Sequence, residues 1–414
     1  MMQQATLSPG DRVNCTLGNR TFEGTYITDR DGMRVVKLKS GYNVGVPASA
    51  VQYRETPPLS PAAIVPVEQD SSLAPLSIIS TGGTIASRVD YRTGAVTSQF
   101  SAQDILRAIP TLATIAHYQT RQVASILSEN MHGGIWEALA AAIYDEVKAG
   151  AQGVIVTHGT DTMSYSAAAI SFMVRSPVPI LFVGSQRSAD RPSSDNAMNA
   201  LCSAAAATSD LGEVAVVMHA TTNDDRCSIH RATRVRKMHS SRRDAFQSIG
   251  MSPLGEVSYP SLAVTLTDEA MRRESCRPEL HLHLEEDCDL VYFYPGMRAS
   301  ILEKYRGHRG LVLAGSGLGH VSSTWIQELE VLARSGTTIV MTSQCLQGRV
   351  CDRVYDTGRD LLALGVIEGE DMLPETALVK LMWVLGREHD PERVRELMTT
   401  DIRGEIRRCS DHGL

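Results

Sequence analysis

The sequence is poor in aromatic residues. Phe, Trp and Tyr together make up 5% of 414 residues, with three tryptophans among them. At that content no aromatic platform for stacking unpaired bases is read. Bulk positive charge is also missing: Lys and Arg number 40 against 47 Asp and Glu, a net charge of −7. That balance argues against a protein that coats nucleic acid or anionic membrane by electrostatics alone. No apolar run approaches the roughly 18 residues of a membrane-spanning helix. The start, Met1-Met2-Gln3-Gln4-Ala5-Thr6, has no basic segment leading into an apolar one, so no signal peptide is read and a cytoplasmic location is expected. Disulfide spacing is absent as well. The eight cysteines (15, 202, 227, 276, 288, 345, 351 and 409) never form CxxC, and free thiols are expected. The chain contains no GxxxxGK[ST] phosphate loop. The run from His281 to Cys288 has no closed ligand spacing, so no metal site is expected there.

What remains is a globular composition, 43% hydrophobic and 21% charged. At about 150 residues per domain, the length predicts two or three domains. Residues 11–53 alternate short β-like runs with turns at Leu17-Gly18-Asn19 and Asp29-Arg30-Asp31-Gly32, which predicts a small antiparallel β-barrel within residues 1–56. Residues 57–75 hold five prolines and show no helical period, as in a stiff Pro-rich linker. Beyond it, apolar strands at 76–80, 153–157, 179–183 and 214–218 alternate with helical segments such as 135–149 and 196–207. A second series begins near Asp289, continues through 310–314 and 337–341, and closes with helices near 374–386 and 391–399. The pattern predicts an α/β fold of two lobes, 76–275 and 276–414, each a parallel sheet covered on both faces.

In open α/β sheets ligands bind beyond the C-terminal strand ends. Two such ends carry hydroxyls on glycine turns. The first is Thr81-Gly82-Gly83-Thr84-Ile85-Ala86-Ser87, where paired glycines let the backbone approach a ligand and Thr84 offers a hydroxyl. The second is Thr157-His158-Gly159-Thr160-Asp161-Thr162-Met163, which sets a hydroxyl beside a carboxylate. A threonine nucleophile needs a neighbouring base, and an ordinary carboxylate is too weak to deprotonate an alcohol unaided. Each turn also has a plainer reading, the first as a glycine turn before a helix and the second as a helix N-cap.

TGGTIAS followed by THGTDTM, with Thr84 and Thr160 standing 76 residues apart, resembles the paired signature of the L-asparaginase family. The likeness covers residues 76–414. It extends to Ser128-Glu129-Asn130-Met131, Gly315-Ser316-Gly317-Leu318-Gly319-His320 and Gly348-Arg349-Val350. Three features depart from a plain asparaginase: the N-terminal barrel and linker, the basic stretch from Arg231 to Phe246, and GSGLGH in place of an asparagine-rich version. Together they resemble GatD, the asparaginase-like component of archaeal glutamyl-tRNA(Gln) amidotransferases.

The resemblance implies a two-lobed asparaginase-like fold and a catalytic set of Thr84, Thr160, Asp161 and Lys237. Substrate contacts would come from Gly83, Ser128, Glu129 and Gly159, and Tyr91 would sit on a lid loop. Arg234, Arg236, Arg242 and Arg243 surround Lys237 in sequence, and their like charge would favour its neutral, proton-accepting form. The implied reaction is hydrolysis of the glutamine side-chain amide through a threonine ester. The residues leave open which threonine attacks first and whether asparagine is preferred. The ammonia would pass to a partner amidotransferase subunit (GatE-like) that uses ATP and Mg²⁺ to convert Glu-tRNA(Gln) to Gln-tRNA(Gln). No cofactor is expected on this chain, and tRNA would bind mainly through the partner. The expected assembly is a homodimer of this chain within a heterotetramer, with no membrane contact. A free-standing L-asparaginase and a non-catalytic RNA-binding adaptor are the alternatives.

Overall fold

A computed structural model describes residues 7–39, 42–54, 67–82, 87–89, 96–98, 102–187, 193–274 and 277–409, with backbone alone at 87–89, 96–98 and 102–104. Most of the expected Pro-rich linker lies outside the described residues. The N-terminal strands form an antiparallel sheet in the order Asn43–Pro47, Met33–Leu38, Arg20–Arg30, Arg12–Leu17, Val51–Tyr53. Asp31 and Gly32 both take positive φ, 54° and 74°, the primed turn that matches the twist of a two-residue hairpin loop. Alternation along the strands turns Val13, Cys15, Tyr26, Val36, Val46 and Val51 into one small core.

The large lobe is built on an eight-stranded sheet. Its order is Val264–Leu266, Gly255–Ser258, Arg226–Arg231, Val214–His219, Ile180–Val183, Val154–Thr157, Pro75–Gly82, His117–Ile126. From His117–Ile126 to Val214–His219 the neighbours run parallel, while the other three strands pair antiparallel. The sheet is therefore mixed where uniform parallel pairing was expected. The reason lies in the connection: only residues 220–225 separate His219 from Arg226, too few for the crossover that parallel pairing demands.

Period-two alternation assigns the side chains of the parallel strands to two cores. Val154, Val156, Ile180, Phe182, Val214 and Val216 face one, and Ile155, Leu181, Val183, Ala215 and Val217 face the other. The first core continues into the C-terminal lobe through Val312, Val340 and the helix Pro374–Leu385. That lobe has a four-stranded parallel sheet, Cys288–Tyr292, Gly310–Gly315, Thr338–Ser343 and Ile367–Glu368. The helix Met163–Met173 lies in the shared core and is buried along almost its whole length. Apart from Tyr165 its side chains are apolar or small, the composition of a helix enclosed on nearly every side. This helix begins directly after Thr160-Asp161-Thr162, so the second turn is anchored to a rigid element.

Candidate active site

Strands Pro75–Gly82 and Val154–Thr157 lie side by side, with Ser80 opposite Thr157. The Thr157 hydroxyl donates to Ser80 Oγ at 3.2 Å, and the Thr81 hydroxyl donates to the Thr157 carbonyl at 3.2 Å, which ties the two strand ends together. Gly82 has φ +120° and lies so close to the neighbouring strand that a Cβ would fall 2.3 Å from the Ile126 carbonyl oxygen. Only glycine fits there. Gly83, Thr84 and Tyr91 lie outside the described residues.

The second turn is held from two sides. A Cβ on Gly159 would come 2.7 Å from the Ser128 Cβ, and one on Gly184 would come 2.7 Å from Thr160 Cγ2. The Thr162 hydroxyl donates to the Ser128 carbonyl at 2.7 Å. Thr162 thereby spends its hydroxyl on the 128 loop, and the helix it precedes has no side-chain cap bond. The turn's polar residues are arranged around a site and do not serve as a helix cap. Buried Ser128 lies against half-buried Gly159, next to Thr160, while Glu129 stands exposed on the same short turn as Ser128.

Lys237 ends the three-residue strand Val235–Lys237, which pairs antiparallel with Phe246–Ser248. Its Nζ lies 2.9 Å from Thr160 Oγ1 and 2.6 Å from Asp161 Oδ1. The lysine side chain is largely buried at 12% exposure, while Asp161 is open to solvent at 69%. Hydroxyl, amine and carboxylate are thus in contact. The expected crowding of Lys237 by like charge is not what the structure shows. Arg234 pairs with Asp371 at 2.8 Å, Arg236 with Glu375 at 3.4 Å, Arg242 with Asp244 at 2.5 Å and Arg243 with Asp224 at 2.5 Å. Each guanidinium has its own carboxylate, and the charge next to the lysine is that of Asp161.

The block from Gly184 to Asp195 follows a strand and reads in the sequence as a candidate pocket lining, with Ser185 and Gln186 in a supporting place; the structure adds how it is held. Asp195 is fully buried and accepts from Ser185 Oγ, the Gln186 and Arg187 amides and Asn199 Nδ2, all between 2.9 and 3.0 Å. It shapes the loop that starts at Gly184, the residue against Thr160. Asn199 Oδ1 contacts His219 Nδ1 at 2.6 Å, and His219 Nε2 lies 3.3 Å from Asp224, the partner of Arg243. A polar network therefore runs from the Gly184 loop to the basic segment that follows Lys237. Asp195 directly precedes helix Asn196–Thr208 but makes no side-chain cap bond to it, because its carboxylate is spent on the loop. His158 is a packed residue: its Nδ1 lies 2.6 Å from the Gly159 carbonyl, its ring tilts against Phe182, and burial lowers its pKa to about 4. Among the described residues no group of three His, Cys, Asp or Glu is placed to hold a metal ion.

Comparison with known proteins covers the same ground independently. Residues 7–53 match a GatD N-terminal domain model, 75–270 the N-terminal asparaginase model and 287–398 the glutaminase/asparaginase C-terminal model. The GatD subunit of glutamyl-tRNA(Gln) amidotransferase from Methanosarcina mazei is 51% identical over 418 residues, spanning 97% of this chain and 98% of that protein. Its counterpart from Halobacterium salinarum is 54% identical over 407 residues, spanning 94% and 95%. The chain belongs to the GatD family. Among solved structures, this GatD family member is similar to the thermostable L-asparaginase of Thermococcus kodakarensis, with a TM-score of 0.72 and 31% identity over 80% of this chain and 99% of the other. The probable cytoplasmic L-asparaginase of Campylobacter jejuni gives 0.67 and 27%, covering 79% and 100%. Among the described residues, no helix of this family member is long and apolar enough to cross a membrane.

Proposed function

We propose that this chain is the glutaminase subunit of a Glu-tRNA(Gln) amidotransferase. The observation that carries the proposal is the contact of Lys237 with Thr160 and Asp161, made within a chain about half identical to GatD along almost its whole length. The matched GatD N-terminal domain favours this reading over a free asparaginase.

The chemistry follows from what the groups can do. A threonine oxygen attacks the side-chain carbonyl carbon of glutamine, a C–O bond forms, and the C–N bond breaks with release of ammonia. Backbone N–H groups of the glycine turn beside Thr84 stabilise the oxyanion. Water then cleaves the ester to glutamate and restores the hydroxyl. Thr84 is carried into this role by the motif likeness. Thr160, Lys237 and Asp161 are carried by likeness and geometry together: Lys237 accepts and returns the proton, and Asp161 stabilises the ammonium that forms. Ser128 and Gly159 border the substrate pocket, with Gly83, Glu129 and Tyr91 as its further contacts.

The GatD relatives are named as parts of a larger enzyme, and the same holds for this chain in the proposal. A GatE-like partner binds ATP, Mg²⁺ and the misacylated tRNA in the cytoplasm, and two copies of each protein form the heterotetramer. The test is ammonia release from glutamine and from asparagine by the chain alone, then with the partner, ATP and Glu-tRNA(Gln). Weak release alone that rises in the complex supports the proposal. Fast, partner-independent release would make the chain an asparaginase, and no release under either condition would leave an adaptor. A preference for glutamine rests on one methylene, worth only about 1–3 kcal/mol of discrimination.

A further inference from the structure

Strand Val235–Lys237 is short and pairs with a single partner strand, an arrangement with little stiffness of its own. Yet it has to hold Lys237 Nζ against Thr160 and Asp161. Successive side chains of a strand leave opposite faces, so Arg236 reaches away from Lys237 on the other side of the same backbone. Arg236 Nε meets Glu375 Oε1 at 3.4 Å, and the Tyr292 phenol is bound to Arg236 as well.

Glu375 is an unusual partner. It sits in the first turn of helix Pro374–Leu385, is 3% exposed, and its Oε2 has no hydrogen-bond partner among the described residues. A buried, half-satisfied carboxylate weakens a fold, and burial pushes its pKa up while Arg236 pulls it back. Tyr165, in the first turn of helix Met163–Met173 shortly after Thr160, feels the charge of the same carboxylate, although burial is the main cause that raises its pKa to about 12. Glu375, Arg236 and Tyr292 thus form one polar cluster. It joins the C-terminal lobe, through Glu375 and Tyr292, to the strand that carries Lys237.

We infer that Glu375 is a positioning residue for Lys237. By gripping Arg236 it fixes the backbone of Val235–Lys237, and the C-terminal lobe thereby sets the aim of an amine that acts in the large lobe. The inference rests on the reading that Lys237 moves the Thr160 proton.

The test measures kcat and KM for glutamine hydrolysis, with Tm, in the assembled enzyme carrying Glu375→Gln, Arg236→Met, both together, or Lys237→Met. Glu375→Gln keeps the shape and removes the charge. A misplacement of the order of 1 Å costs about 100-fold in rate, so kcat is expected to fall roughly 10- to 100-fold for either single change. KM should stay within about twofold, because substrate contacts are untouched. The double variant should be no slower than the worse single, since both changes act along one path. Arg236→Lys, which keeps the charge and loses the planar fork, should fall between wild type and Arg236→Met, and it serves if Arg236→Met does not fold. Wild-type kcat in Glu375→Gln beside an inactive Lys237→Met overturns the inference and leaves the site reading intact. Losses that add in the double variant and track Tm also overturn it, since they show a structural role only. Activity in Lys237→Met overturns the site reading itself.

Discussion

Lys237 and Thr160 are 77 residues apart in the chain and 2.9 Å apart at Nζ and Oγ1. The turn after one parallel strand and the end of a two-stranded ribbon meet there, and Asp161 touches the same amine at 2.6 Å. General acid–base groups contribute about 10²- to 10⁴-fold to rate. Thr160→Val and Lys237→Met should each lower glutamine hydrolysis by about that factor, and the double variant should lose no more than the worse single. Steady-state ammonia release checks this, and additive losses would show that the two groups act separately.

Gly184 owes its identity to Thr160. A Cβ there would lie 2.7 Å from Thr160 Cγ2, 2.7 Å from Met163 Cε and 2.8 Å from the His158 carbonyl oxygen. The methionine can move aside, but the carbonyl is backbone and cannot. Gly184→Ala should displace Thr160, lowering kcat by about 10- to 100-fold at a stability cost of about 1–3 kcal/mol. Kinetics together with a thermal melt separate the two effects, and an unchanged kcat would show that the methyl group of Thr160 is not held at this point.

His158 and His230 should make the fold acid-sensitive. Burial lowers both imidazoles to about 4, and neither Nε2 has a partner among the described residues. In the unfolded chain each takes up a proton below its ordinary value near 6.5. The unfolded state therefore binds more protons between roughly pH 6.5 and 4, and stability falls as pH drops through that window. The loss is about 1 kcal/mol per histidine at pH 5.5 relative to pH 7.5. His230→Gln should shrink the difference between melting temperatures measured at those two pH values, and an undiminished difference would locate the acid sensitivity elsewhere.

Lys380 and Glu405 form an ion pair of 2.6 Å with both side chains at 0% exposure. Lys380 also donates to the Thr400 carbonyl at 2.6 Å, and Glu405 accepts from the Ile402 and Arg403 amides. Removing one member strands the other charge in the interior. Lys380→Met should cost roughly 3–5 kcal/mol, and Lys380→Met with Glu405→Gln should cost less than the sum of the single changes. Urea denaturation of all three variants tests this, and an additive result would mean that the pair is not coupled.

Much of the site was legible because its signals are local. The turn Thr157-His158-Gly159-Thr160-Asp161 follows an apolar strand, and a hydroxyl and a carboxylate on a glycine turn at a strand end read as chemistry in any open α/β sheet. Ser128 and Lys237 were placed by likeness to a family, since nothing in their immediate sequence aims them at Thr160. The charge argument for Lys237 failed for a physical reason. The carboxylates that pair with Arg234, Arg236 and Arg243 come from Asp371, Glu375 and Asp224, which no local window shows beside them.

The sequence by itself determined the alternation of apolar runs and turns, and with it the N-terminal antiparallel sheet, the two lobes and the strand ends that carry the threonine turns. Hydrophobic period and glycine placement act over a few residues, so they can be read without the fold. Only the tertiary structure decided the partners: Lys237 on Thr160, Glu375 under Arg236, Gly184 against the threonine methyl, Asp195 at the centre of its loop. Those contacts close over tens to more than a hundred residues, and their strength depends on burial and on the charges that other elements bring.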